Sequence, residues 1–321
     1  MKRWGGVTAL GLGFWALTAC TPAPPQSVQP ASMPPRDRAV QIAPVVTAPP
    51  QSDEAEDELR RYYKRLQNDL LARGLLRSDG GGPDTPFTDT QLARNFIRIA
   101  LFDEYVIDGG ELRAAPTASK LRRWEQPVRM SVSFGDQVSD TQRAADLAEV
   151  SKYTRRLSRL TGLLITITDA NPNYFVLFLG ENERLASEVR LRQMVPGIAQ
   201  SSLRAILNLP RDQLCIIVAF SDPGQSQYQK AIAVIRDEHP QAMRQSCIHE
   251  ELAQGLGLAN DSPAARPSIF NDDEEFGLLT THDELLLTML YDRRLQSGMD
   301  ATQAAPIAQI IATELTGDGA S

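Results

Sequence analysis

Apolar positions repeat with helical spacing between Asp53 and Leu75, where Leu59, Tyr62, Tyr63, Leu66, Leu70 and Leu71 share one side. Acids crowd the first turn (Asp53, Glu54, Glu56, Asp57, Glu58), bases follow, and Gly74 stands at the end. That order suits the helix dipole and predicts an amphipathic helix whose charges form a solvated face, either docked on the main domain or standing as a stalk. A second helix is predicted over Asp89–Phe102, with Leu92, Phe96, Ile99 and Ala100 on one side. From Trp124 the period changes. Val128, Met130, Val132 and Phe134 alternate, which predicts a half-buried strand. A long helix over Asp140–Leu160 leads through Gly162 into a strand at Leu163–Thr168. Tyr174–Leu179, Leu214–Phe220 and Ala231–Arg236 are further apolar runs of strand length, and the helical pattern over Asn182–Leu207 breaks at Pro196-Gly197.

This order predicts an α+β fold with one mixed sheet, its strands mostly preceding a helix near residues 247–254. From Thr21 to about Ser52 the chain is Pro, Ala, Gln and Ser with few large apolar residues. Such a segment buries no core and is expected to be a disordered, extended tether, reaching on the order of 90 Å at about 3 Å per residue. Gly80-Gly81-Gly82-Pro83 is a loop without the Lys-Ser/Thr of a phosphate-binding loop. The expected division is 1–19 signal peptide, 20–52 tether, 53–105 helical segment and 106–315 main domain.

The 321 residues are 42% hydrophobic with a net charge of -7, enough for a real core and opposed to a nucleic-acid partner. Lys2-Arg3 precede an apolar stretch, Val7 to Leu17, too short for a mature transmembrane helix. Leu17-Thr18-Ala19-Cys20 then resembles the bacterial lipobox. The resemblance implies lipidation at Cys20 and a membrane partner reached through several acyl chains. Thr21 in place of Asp favours the outer membrane, facing the periplasm. In that oxidising compartment Cys215 and Cys247 are expected to form a disulfide; the other reading is two separate buried cysteines. A bridge closing roughly 30 residues contributes about 3 kcal/mol.

The residues that bear on chemistry lie in Cys247-Ile248-His249-Glu250-Glu251-Leu252-Ala253-Gln254-Gly255-Leu256-Gly257-Leu258-Ala259-Asn260-Asp261. Their spacing resembles the HExxHxxGxxH helix of zincin peptidases. There, two His one turn apart share a helix face, the Glu activates a metal-bound water, and a Gly turn delivers a third His. Two frames fit. Starting at His249-Glu250, the residue one turn on is Ala253, which binds no metal. Starting one residue later, Glu250 and Gln254 stand for the paired His, Glu251 for the water-activating Glu, Gly257 for the turn and Asn260 for the third His. Ser268-Ile269-Phe270-Asn271-Asp272 is similar to the Met-turn of metzincins, with Phe for Met. Leu279-Thr280, Asp283, Leu286, Leu290 and Tyr291 resemble the helix that closes such domains. The resemblance covers about Trp124 to Met299 and implies a zincin (metzincin)-like mixed sheet with long helices. The whole chain also resembles a family of bacterial envelope lipoproteins built on a domain of unknown function.

Amide oxygens such as those of Gln254 and Asn260 are weak ligands for zinc, so no ordinary zinc site and no metal ligand is assigned; zinc or another divalent cation stays open as cofactor. Of the three His, His239 beside Pro240 is expected in a surface loop. His249 and His282 converge only if the last helix packs beneath the motif helix. The leading expectation is a non-catalytic pseudopeptidase of the cell envelope. Its cleft, lined by His249, Glu250, Gln254, Asn260, Asp261 and His282, binds envelope polypeptide or cell-wall material. The alternative is an active metallohydrolase with Glu251 as general base. A third reading pairs Glu250 or Glu251 with Asp261 or Asp272 on a glycan. The plainest has Glu250 and Glu251 favouring a helix N-terminus, Gln254 and Asn260 bonding backbone, and Asp272–Glu275 a solvated loop.

Overall fold

The computed structural model describes residues 54–108 and 111–317; Cys20, the signal segment 1–19 and the Pro-rich segment 20–52 lie outside them. The described chain opens with two helices, α1 (Glu54–Ala72) and α2 (Asp89–Ala100), the second started by a reciprocal Thr88–Gln91 capping box. An antiparallel hairpin follows, β1 (Phe102–Asp108) and β2 (Glu111–Ala118), which the periodicity reading does not contain. Next come β3 (Val128–Phe134), α3 (Asp140–Thr161), β4 (Ile165–Ile167) and β5 (Tyr174–Leu179). The helical stretch broken at Pro196-Gly197 folds as three short helices, α4 (Glu181–Leu185), α5 (Glu188–Met194) and α6 (Gln200–Leu207). After β6 (Cys215–Ser221) and β7 (Tyr228–Arg236), only helices and loops remain: α7 (Gln241–Gln254), α8 (Thr281–Leu290) and α9 (Ala301–Gly317).

β5 explains the layering. All six of its residues are apolar and buried. Tyr174, Val176 and Phe178 join one core, while Phe175, Leu177 and Leu179 join another. A strand buried on both faces requires cover on both, and each such side chain contributes about 1.5–3 kcal/mol when fully buried. The larger core takes in α2, α3, α7, α8 and α9; the smaller one takes in α5 and α6. The sheet order is β4-β3-β5-β7-β6. The first four strands run parallel, and β6 pairs antiparallel with β7 at the outer edge, Ile217 opposite Ala233. The fold is therefore α+β with a mixed five-stranded sheet.

Three contacts fix α7 and the residues that lead into it against this frame. Cys215, the first residue of β6, is bonded to Cys247 in the middle of α7. Gln67 of α1 accepts hydrogen bonds from the N–H groups of Ala242 and Met243, at 2.9 and 3.2 Å, and so caps a helix whose own N-cap is Pro240. Tyr63 of α1 is fully buried and meets His239 edge-on, with ring centroids 4.4 Å apart. His239 thus lies in the core and not in a surface loop. Its neighbour Pro240 ends a strand–helix connection that α1 covers, a tertiary fact no local pattern carries. Burial holds the His239 imidazole well below its ordinary pKa.

Candidate functional site

α7 places Glu250 and Gln254 one turn apart, with Glu251 beside them, because residues four apart share a helix face. Two glycines then let the chain turn away closely packed. A Cβ on Gly255 would lie 2.1 Å from the Tyr174 hydroxyl, and one on Gly257, at φ 127°, would lie 2.2 Å from the Arg122 carbonyl oxygen. The turn is held from outside: Trp124 Nε1 donates to the Gly255 carbonyl at 2.8 Å, and the Tyr174 hydroxyl donates to the Glu251 carbonyl at 3.0 Å.

These residues open into a cavity of about 630 Å³ between α7, β6, the start of β1 and the loop after α7. Eight consecutive residues of its wall, Asp212 to Ala219, come from β6 and its approach. Side chains of a strand alternate between faces, so an unbroken run means that the cavity follows the strand's edge. Among the described residues no further strand pairs with that edge, since β6 is the last in the sheet.

The wall is strongly acidic. Asp103, Glu104, Asp212, Glu250, Glu251, Asp261, Asp272 and Glu274 line it, and Arg122 is the one basic side chain among these described residues. Arg122 is paired with Asp103. Glu251 is only 3% exposed, and its Oε2 has no hydrogen-bond partner. Burial, then mutual repulsion, pushes the carboxyls of Glu250, Glu251 and Asp261 well above the usual carboxylate range. For Glu250 the repelling neighbours are Glu251, Asp261, Glu274 and Glu104. Glu274 is raised too, by burial and by Asp272 and Asp273.

Four of the residues named from the motif therefore meet: Glu250, Glu251, Gln254 and Asp261 all line the cavity. Gln254 Nε2 donates to Asp261 Oδ1 at 3.3 Å. The other three do not line it. Asn260 is fully buried and donates to the carbonyls of Arg98 and Asp261, at 2.9 and 2.8 Å, so it ties the turn to α2 while Asp261 reaches the cavity. His249 faces away from the cleft. Its ring stacks on Tyr153 with centroids 3.9 Å apart, and Nδ1 accepts the Leu279 N–H at 3.0 Å. That bond leaves the proton on Nε2, which donates to Glu149 at 3.3 Å. His282 is fully buried beside Asn95, 3.1 Å from Nε2, and edge-on to Phe87.

The Ser268–Asp272 turn is built by Asp283, which accepts from Ser268 Oγ at 2.5 Å and from the Ile269 N–H at 3.0 Å. It thereby sets Asp272 on the rim. The sequence pattern does not mark Glu104, and Glu274, expected in a solvated loop over Asp272–Glu275, lines the cavity instead. Both come from loops and a hairpin far from α7 in sequence, and an acid in an acidic chain carries no local signal of convergence.

Zinc does not fit this donor set. Among the described residues no three His, Cys, Asp or Glu side chains gather closely enough to share a metal ion. The position of the third ligand holds Asn260, a neutral amide whose Nδ2 is bound to backbone carbonyls and whose side chain does not line the cavity. The arrangement can bind a positively charged group or hold and release protons. A search of curated proteins finds no match. Residues 89–310, more than half of the chain, match the family model described as a protein of unknown function, DUF2927, and the chain belongs to that family.

Proposed function

We propose that the cleft binds a segment of polypeptide in extended conformation, laid along the free edge of β6, and that it does so without metal-assisted hydrolysis. The observation that carries this reading is the unbroken run Asp212–Ala219 along the cavity wall. An exposed strand edge offers its outward N–H and C=O groups to a further strand, and each bond made there contributes about 0.5–1.5 kcal/mol. The zincin-like ordering of sheet, helix and turn supports it, as does a donor set unsuited to zinc. In this reading the domain is a pseudopeptidase, displayed in the cell envelope by a lipid on Cys20.

Hydrogen exchange on the full chain, with and without a mixture of unstructured peptides, tests the proposal. Slower exchange confined to residues 212–219 and α7 is expected. Protection elsewhere alone, or cleavage of the peptides abolished by a chelator, refutes it. Mass spectrometry of the mature protein tests the anchor: acylation at Cys20 is expected, lost with release from the membrane fraction in Cys20→Ser.

A further inference from the structure

We propose that the cleft selects an arginine side chain of the bound segment, its guanidinium received by Glu251 on the floor with Glu250 and Asp261 around it. This rests on the polypeptide reading and adds what the cleft recognises. Three observations converge. Eight acids face one arginine around the cavity, and that arginine is already paired. Glu251 lines the cavity although it is only 3% exposed, and its buried Oε2 has no hydrogen-bond partner. A buried polar atom without a partner is rare and points to something that completes it.

The third observation decides between cations. The carboxyls do not gather into a shell around one point, which a divalent metal requires. A guanidinium differs, since its five N–H donors spread over a rigid plane and reach several carboxylates at once. An ammonium is a compact, strongly hydrated point charge and matches a dispersed set of acceptors less well. The edge of β6 supplies the main chain of such a ligand with partners, and the acids supply its side chain.

Titration calorimetry on the full chain tests this with capped heptapeptides that differ only at the central residue. The arginine peptide is expected to bind about ten- to a hundredfold more tightly than the citrulline peptide, which has the same shape without the charge. The lysine peptide is expected between them. Glu251→Gln is expected to abolish the difference, with its thermal unfolding reporting an intact fold; Asp272→Asn on the exposed rim is expected to reduce it. Equal binding of the arginine and citrulline peptides overturns arginine selection and leaves the polypeptide reading standing. Binding of free arginine amide with no binding of any peptide keeps the guanidinium site and overturns the polypeptide reading. Stoichiometric uptake of calcium or zinc alone, lost in Glu251→Gln, overturns the inference in favour of a metal. Absence of binding by every probe overturns both.

Discussion

At the ends of β5 and β7, Asp146, Glu181 and Asp237 meet three buried arginines; in the cleft beside β6, eight acids meet one. In the first region Arg244 forks onto Asp146 at 2.6 and 3.1 Å and donates to the Asp237 carbonyl at 2.8 Å. Arg236 donates to Glu181 at 2.8 Å and to the Leu209 and Pro210 carbonyls at 2.8 and 2.7 Å. Arg184 takes the other Glu181 oxygen at 2.5 Å. One oxygen there, Glu238 Oε2, and one donor, Arg184 Nε, stay without a partner, and burial raises the Glu238 carboxyl. Desolvating such ions is costly, and only tight geometry with satisfied donors repays it. Folding itself supplies the cations in this knot. In the cleft it does not, and the folded chain carries repulsion that an added cation would relieve. The contrast separates acids that the fold pairs with its own arginines from acids that it leaves facing one another.

Breaking the paired region should have the largest effect. Asp146→Ala leaves Arg244 buried without its fork, and a loss of about 3–5 kcal/mol in urea unfolding is expected. Asp146→Leu combined with Arg244→Met should recover most of it, because a buried ion pair often gives little net gain over apolar residues of similar volume. Next in size is the disulfide. It spans 32 residues, and replacing both cysteines by Ala should cost about 3–4 kcal/mol. It should also act on the unpaired region, since the bridge joins β6 to α7 across the cleft. Faster amide exchange in Cys215–Ser221 than in β5 would be the signature; equal acceleration of both strands would show that the bridge stabilises the fold without shaping the cleft.

The paired knot and the acidic cleft differed in how far sequence could reveal them. β5 was legible because six consecutive apolar residues have few other solutions, and β3 because its residues alternate. The β1–β2 hairpin was not, although Asp108-Gly109-Gly110 is a turn signal, since its strands are too polar to stand out by periodicity. α9 was hidden by Pro306 within its span. Motif spacing brought Glu250, Glu251 and Gln254 onto one cavity, because a helix fixes what residues four apart share. It misplaced the next donor by one residue. Beyond Gly257 the backbone is no longer helical, and which of Asn260 and Asp261 turns inward depends on the carbonyls of α2. The arginines of the knot left no local trace at all, being scattered from residue 184 to 244 and joined only by the sheet.

His249 offers a third, smaller way to sharpen the contrast, because it lies on α7 yet belongs to the satisfied kind of site. His249→Asn keeps an acceptor for the Leu279 N–H but loses the stacking on Tyr153 and the bond to Glu149; a loss of about 1–3 kcal/mol at pH 8 is expected. Burial lowers the His249 pKa from 6.5, against the raising influence of Glu149. The unfolded chain therefore takes up its proton first as pH falls. The stability this neutral His provides is complete above 6.5 and is lost as pH drops through the lower folded value. Denaturant midpoints measured from pH 8 to 5 should fall in the parent and fall less in the variant. His239, also lowered by burial, keeps part of the slope in both.

Glu251→Gln should have the smallest effect and the opposite sign. The substitution keeps size and shape while removing a charge from a buried position crowded by Glu250, Asp261 and Glu104. Burial raises the folded pKa of Glu251 well above 4.5. Below 4.5 the acid is protonated in both states and costs the fold no charge. As pH rises from there, the unfolded chain ionises first, and stability is lost until the folded carboxyl ionises too. The variant escapes this loss. It should match the parent near pH 4 and exceed it by about 1 kcal/mol near pH 8, the scale of one unsatisfied buried group. Glu250, Asp261 and Glu274 titrate in the same direction, so the variant's stability should still fall as pH rises, but less steeply than the parent's. A gain that is flat across pH would mean that the Glu251 side chain is misfitted in shape, not in charge. A loss at every pH would mean that its carboxyl already has a partner within the fold, and the cleft would then belong with the knot.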